Sequence, residues 1–462
     1  MLAKLKKKYI GDWDFYQKYL LLAIPMILQN AITNLVSFLD NIMVGQLGTE
    51  QMSGVAIVNQ LIFVYNLAIF GAVSAASIFG AQYFGKGNHK GHMYSFRFKL
   101  YATLLVTGGA ILLFLTKGSA LISLYLTDTV GNGATDLALQ YGLEYLAIMM
   151  VGLIPFAVNQ SYATNIKETG QTFIPMLASF VAVGTNAILD YLMIFGIGPF
   201  PDVGEQWAAL ATVIARYIEA LIVVIWAHIH RGKNRYLEGA YTGFGIPLAE
   251  LKAILIKGFP LMMNEVLWAA GMTTVTQCYS VRGLNVVAGL NIASTITNLF
   301  NIVYLQLGSC ISIVVGQYLG AGKLEDAKDA DNKMIVFSVF CCVIMAALMF
   351  VVGGFFPGIY NTTEEIRELA TSFIAVSAII MPFCAFSHAS YFTLRSGGKT
   401  VVTFLFDSVF TWVIVVPAAY LLAHFTGLGI VSIYFLVQGT ELIKVIIGYL
   451  MVKSNVWVVQ MV

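Results

Sequence analysis

Asn186 and Asp190 are four residues apart in the apolar stretch LASFVAVGTNAILDYLMIFG, which places both on one helix face. A second carboxylate, Asp40, interrupts AIPMILQNAITNLVSFLDNIMVGQLG, a run of membrane length that also carries Pro25. A carboxylate at bilayer depth costs about 2.5–3.5 kcal/mol on insertion scales. Its presence therefore calls for a role or a partner. Thr212, Arg216 and Glu219 follow on the sixth span in LATVIARYIEA, and Glu144 and Asn159 lie on the fourth span. Two carboxylates, an amide and a hydroxyl are hard oxygen ligands suited to a small cation such as sodium. Neighbouring carboxylates equally suit a proton, because like charges favour the neutral form of one of them. Pairing of Asp40 with Arg216 or Asn41, or a place for Asp40 at the water interface, are the alternatives. Arg216 and Glu219, three apart, fit a local ion pair as well as a functional role. The second half offers Asn264, Glu265, His388 and Asp407. Asp407 is placed to anchor Arg395 or Lys399, and Glu441 with Lys444 reads as a further i,i+3 bridge.

These residues need a scaffold, and the composition says which kind. The 462-residue chain is 58% hydrophobic and 11% charged, with mean hydropathy +0.80. Ordinary soluble domains carry about 25% charge, so the surplus apolar surface requires a membrane. Twelve segments reach spanning length. The connections between them, such as GKGNHKGH, GPFPDVGEQ and RSGGKT, are too short to hold a soluble catalytic domain. Most of the basic residues gather on one side if the N-terminus is cytoplasmic: Lys4 to Lys8, Lys86 and Lys90, Arg231 to Arg235, Lys323 to Lys333, Arg395 and Lys399. Both termini are then cytoplasmic in a multi-pass protein of the cell membrane. No short apolar run ends in a small-residue cleavage site, so the first span is expected to serve as the insertion signal.

The halves repeat. QYFGKGN from Gln82 matches QYLGAGK from Gln317, and Pro25 and Pro260, Gly48 and Gly283, and Gly54 and Gly289 share that offset. TGQT ending at Thr172 matches GGKT ending at Thr400 at nearly the same offset. Two six-helix lobes, residues 1–235 and 236–462, follow as a parallel repeat, a frame suited to alternating access. The five cysteines lie in or beside apolar segments and read as small buried hydrophobes. No GxxxxGK[ST] loop, zinc spacing or nucleophile constellation is present, which argues against an enzyme, and the basic patches answer to topology rather than to nucleic acid.

In order along the chain, several motifs together resemble the multidrug and toxic-compound extrusion (MATE) family. They are Pro25, Asp40, Met43, Val44 and Gly45 on the first span, AQYFGKGN with its repeat GQYLGAGK, and the turns ending at Thr172 and Thr400. NAILD on the fifth span, LAT before the sixth, LRSGGKT after the tenth and W…VP on the eleventh complete the set. The resemblance implies an all-α polytopic membrane protein, with twelve transmembrane helices in two pseudo-symmetric six-helix lobes around a central cleft. It implies export of cationic or amphipathic organic compounds in exchange for sodium or protons, with no other cofactor, by a protein that works as a monomer among membrane lipids. Carried over, Asp40, Asn186, Asp190 and Thr212 match the cation site of the N-terminal lobe, with sodium expected at Asp40, Asn186 and Asp190. Some members carry a seventh-span glutamate two turns after the proline and a tenth-span aspartate. Here Glu265 comes five residues after Pro260 and Cys384 takes the aspartate's place, so coupling is expected in the N-terminal lobe. Glu265, Asn159, His388 and Asp407 are the candidates for the substrate cleft. A flippase for a lipid-linked or amphipathic precursor, and a non-transporting receptor or scaffold, are the competing readings.

Overall fold

The computed structural model describes residues 9–44, 49–126, 132–194, 205–243 and 245–462; within them the side chains of 36–44, 49, 132–134, 194 and 205 lie outside the description. The described chain is helical throughout. In order, the helices are α1 Trp13–Val44, α2 Thr49–Lys86, α3 His89–Ser123, α4 Asn132–Val151, α5 Leu153–Glu168, α6 Phe173–Ile194, α7 Glu205–Ile229, α8 Leu248–Ser280, α9 Leu284–Gly320, α10 Leu324–Gly353 and α11 Glu364–Ser396. They are followed by α12 Thr400–Phe425 and α13 Ile430–Lys453. Among the described residues ten of these are long and apolar enough to cross a membrane, and counting the pair α4 and α5, bent by 43°, as one broken span gives eleven. The first expected span coincides with α1, whose 32 residues extend about 48 Å. A chain whose backbone polar groups face hydrocarbon must satisfy them within each segment, and helices do so.

Two compact units emerge. One comprises Met1–Ile27, Ala81–Asn88 and Ala253–Val462; the other comprises Leu28–Gly80 and His89–Lys252. In the first, α9 and α11 form the central packing pair, over a core that includes Phe300, Met349, Phe373 and Met381. Tyr19 of α1 donates to the carbonyl of Leu307 at 2.9 Å there. In the second, α6 and α7 pack along one another, and α2, α4 and α5 enclose Val58, Ile69, Leu146 and Leu153. Arg97 fastens the segment after α7, donating to the carbonyls of Ala240 at 2.9 Å, Gly245 at 2.7 Å and Gly239 at 2.6 Å.

The bend between α4 and α5 has a chemical cause. Pro155 has no N–H to give to the carbonyl of Val151, and its ring crowds that carbonyl. The carbonyls at the break are taken up by side chains instead. Tyr217 reaches Val151 O at 3.5 Å, Arg216 Nη1 reaches Gly152 O at 3.4 Å, and Tyr65 donates to Leu153 O at 2.9 Å. The Arg216 guanidinium also lies over the Phe156 ring, 5.1 Å from its centroid. Of the two readings of Arg216 and Glu219, the local ion pair is not formed: Arg216 caps a broken helix, while Glu219 accepts from Ser179. Replacing Arg216 by Met should cost about 1–3 kcal/mol, the penalty of leaving a buried polar group unsatisfied. Thermal unfolding in detergent measures it, and unchanged stability would remove the capping role.

The repeated motifs meet within the first unit. A Cβ on Gly85 of QYFGKGN would fall on the carbonyl oxygen of Gln317, and a Cβ on Gly320 of QYLGAGK would fall on that of Gln82. The contact is reciprocal between equivalent positions of the repeat. The C-terminal residues lie across it: Gln82 donates to Ser396 O at 2.9 Å and accepts from the Met461 N–H at 2.8 Å, and Gln460 donates to Gly320 O at 3.1 Å.

Candidate functional site

The seam between α6 and α7 carries one set of polar residues of the second unit. Asn186 and Asp190 are both buried, 5% and 1% exposed. Asn186 Nδ2 donates to Thr212 Oγ1 at 3.5 Å, the outer limit of such a bond. Two turns along, Ser179 of α6 donates to the Glu219 carboxylate of α7, and Gln29 Nε2 of α1 donates to Ser179 Oγ at 2.7 Å. Asn159 of α5 lies within hydrogen-bonding reach of the same carboxylate. Ser179 and Asn186 are seven apart on one helix, and Glu219 and Thr212 are seven apart on its antiparallel neighbour. Seven residues is two turns, about 10 Å along the axis. The two pairs are therefore rungs of one register, with Asp190 one turn beyond the Asn186 rung. Asp40 lies toward the end of α1, and its side chain is outside the described residues.

In the first unit, α8, α11, α12 and α13 bring a second set together. Asp407 accepts from Lys444 Nζ at 2.6 Å on one oxygen and from Asn264 Nδ2 at 3.0 Å on the other. Ser408 Oγ donates to Asn264 Oδ1 at 2.8 Å. The Lys444 ammonium faces the rings of Phe406 and Phe410, 5.4 and 6.0 Å from their centroids. Two expectations are corrected here. The partner of Asp407 is Lys444, not Arg395 or Lys399, and Lys444 does not close a local bridge to Glu441. The reason is geometric. A half-buried carboxylate on α12 has a buried lysine facing it from α13, and an ion pair partly withdrawn from water with a second donor outweighs an i,i+3 contact. Asp407 sits on a π-helical turn, Leu405–Val409, followed by another, Thr411–Val415, ahead of Pro417. Such turns release backbone carbonyls and recur at functional sites. His388 shares a hydrogen bond with Cys384 O at 3.0 Å and tilts against Tyr304, ring centroids 4.7 Å apart. Glu265 is half-buried beside Asn264, with Arg395 and Asp407 as its charged neighbours. The cysteines are free, three buried and two half-buried, as the composition implies.

A third cluster escaped the sequence. Lys99 of α3 and Glu168 of α5 form a fully buried ion pair, Nζ to Oε1 2.5 Å, and His92 Nε2 lies 3.3 Å from the other oxygen. Asn165 accepts from the same ammonium. Local periodicity carries no mark of such pairs, because their partners lie on different helices. The seven-residue spacing of Ser179 and Asn186 is a signal that could have been read. Glu144 accepts from Gln140 at 2.9 Å and from Gln206 at 2.7 Å. Among the described residues no group of three His, Cys, Asp or Glu side chains is arranged to hold a metal ion.

Long apolar helices with buried polar rungs between them define a multi-pass helical membrane protein. The chain belongs to the MatE family, whose model matches residues 25–192 and 260–421. It is 22% identical over 413 residues to a probable multidrug resistance protein NorM of Thermotoga maritima, covering 89% of this chain and 86% of that one. A protein described in the same words from Halalkalibacterium halodurans is 24% identical, with 89% and 88% covered. The fold matches an outward-facing multidrug resistance MATE transporter of the MOP superfamily with a TM-score of 0.85, at 20% identity over 96% of both chains. It matches a MOP superfamily transporter of Pyrococcus furiosus, described as having a binding pocket of reversed polarity, with a TM-score of 0.83 at 19% identity over 96% of both chains.

Proposed function

We propose that the chain is a secondary antiporter exporting cationic or amphipathic organic compounds in exchange for sodium or protons. On this reading Asp40, Asn186, Asp190 and Thr212 hold the coupling ion. The observation that carries it is the Asn186–Thr212 rung with the buried Asp190 carboxylate beside it. A carboxylate this far from water gains most from a cation or a proton. An ion that binds one conformation of the transporter better than the other shifts their populations, and a substrate with the opposite preference is released. Two lobes, residues 1–235 and 236–462, supply the two states. Of the cleft candidates, Asp407 is compensated by Lys444, Asn159 is engaged by Glu219 and His388 by Cys384. Glu265 remains to meet a cationic substrate. The protein works as a monomer in the cell membrane, in contact with lipid, with both termini cytoplasmic.

The test is transport of a fluorescent organic cation in proteoliposomes, with sodium and proton gradients imposed separately. Transport driven by one gradient is expected, and its loss in Asp40→Asn and Asp190→Asn. Transport by neither gradient in folded, oriented protein would favour the flippase or scaffold reading. Transport that survives both substitutions would move the coupling site elsewhere.

A further inference from the structure

In the first unit, α10, α11 and α13, together with Tyr9 and the C-terminal residues, line a partly open cavity of about 190 Å³. Asp331 lines it and is fully buried. One of its oxygens accepts from Thr393 Oγ1 at 2.5 Å, while the other, Oδ2, is buried with no hydrogen-bond partner. The cations close by in sequence are engaged elsewhere. Lys328 pairs with Glu325 at 2.7 Å and Lys333 with Asp329 at 2.5 Å. Lys453, which lines the cavity, is solvent-exposed and lies over the Tyr449 ring, 5.6 Å from its centroid. Phe386, Tyr449 and Trp457 share the lining with the polar Asn332 and Asn455 and with aliphatic side chains.

A desolvated carboxylate oxygen without a donor is costly. A ligand that brings a positively charged donor relieves that cost. Aromatic side chains lining the same cavity can add attraction for that charge and take up an apolar body. An anion would meet Asp331, and a neutral apolar molecule would leave Oδ2 as it is.

We propose that this cavity binds a small protonated amine, with the ammonium against Asp331 and the apolar part between Phe386, Tyr449 and Trp457. The site is separate from the residues assigned to coupling, and it stands whether or not the chain is an antiporter.

The experiment is calorimetric titration of the detergent-solubilised full chain with benzylammonium, with benzyl alcohol and benzoate as neutral and anionic counterparts. Saturable binding of benzylammonium is expected, with no saturable binding of the other two. Asp331→Asn should weaken it by at least about tenfold, the equivalent of about 1.4 kcal/mol. Tyr449→Leu, at a position 51% exposed where folding is not at stake, should weaken it by a smaller factor. No saturable binding to the folded wild-type chain overturns the proposal, as does equal binding of benzyl alcohol. Affinity unchanged in both Asp331→Asn and Tyr449→Leu also overturns it. Failure of gradient-driven transport would touch the antiport reading alone.

Discussion

Glu168→Gln is expected to destabilise the protein by about 3–5 kcal/mol, the range for removing one partner of a buried ion pair. The ammonium of Lys99 is 0% exposed and the Glu168 side chain 2% exposed, so water cannot replace the lost charge. Asn165 and Glu168 both accept from this ammonium, and after the substitution only amide oxygens would remain. The other Glu168 oxygen is held near His92 Nε2 at 3.3 Å and presses on Gly80, where a Cβ would overlap it. The cluster therefore ties α2, α3 and α5 at one point. Ser95 reinforces the tie by donating to Ala76 O at 2.6 Å. The measurement is thermal or denaturant unfolding in detergent, set in a double-mutant cycle with Lys99→Met. The double variant should recover most of the loss, because it removes both charges rather than stranding one. A single variant as stable as the wild type would mean that Lys99 finds another anion or gives up its proton at little cost.

What was legible in the sequence follows from how local each feature is. Hydropathy is a property of a single segment, so the spans and the breaks between them were readable, and the described helices fall on them. Asn186 and Asp190 were readable because their spacing is a property of one helix, and the bond from Asn186 to Thr212 joins two residues named in advance. The partner of Lys444 was misjudged for the same reason. Glu441 is its neighbour on the helix surface, but Asp407 is its neighbour in space. Arg216 repeats the lesson: its i,i+3 relation to Glu219 was visible, whereas its use at the break made by Pro155 needs two more helices. Lys99, Glu168 and Asp331 sit in charged stretches at the ends of apolar runs, where solvation is the ordinary expectation. Only packing shows that these side chains turn inward.

Alanine at Gly320 or at Gly85 is the other substitution with a large expected effect, and here the repeat itself makes the prediction. Each glycine lets one helix backbone approach another more closely than a side chain allows, the use that small residues have between membrane helices. An added methyl at either site would overlap a main-chain carbonyl, of Gln82 for Gly320 and of Gln317 for Gly85. A carbonyl cannot rotate away as the end of a flexible side chain can, so the crossing of α2 and α9 must open. Overpacking of this kind costs about 1–3 kcal/mol, occasionally more. Opening it also strains the bonds from Gln82 to Ser396 and Met461 and from Gln460 to Gly320. Gly108 is the internal control. It lies within α3 with nothing within 4 Å of an added Cβ. Alanine there should be neutral or stabilising by up to about 1 kcal/mol from helix propensity. Because Gly85 and Gly320 hold one crossing by reciprocal contacts, the two single variants should have similar costs. The double variant should cost less than their sum, since residues sharing one backbone shift are not independent. Thermal unfolding of the four proteins in detergent decides it. Additive losses would mean two independent contacts, and a neutral Gly320→Ala would show that the repeated motif is kept for some reason other than the close approach of its backbones.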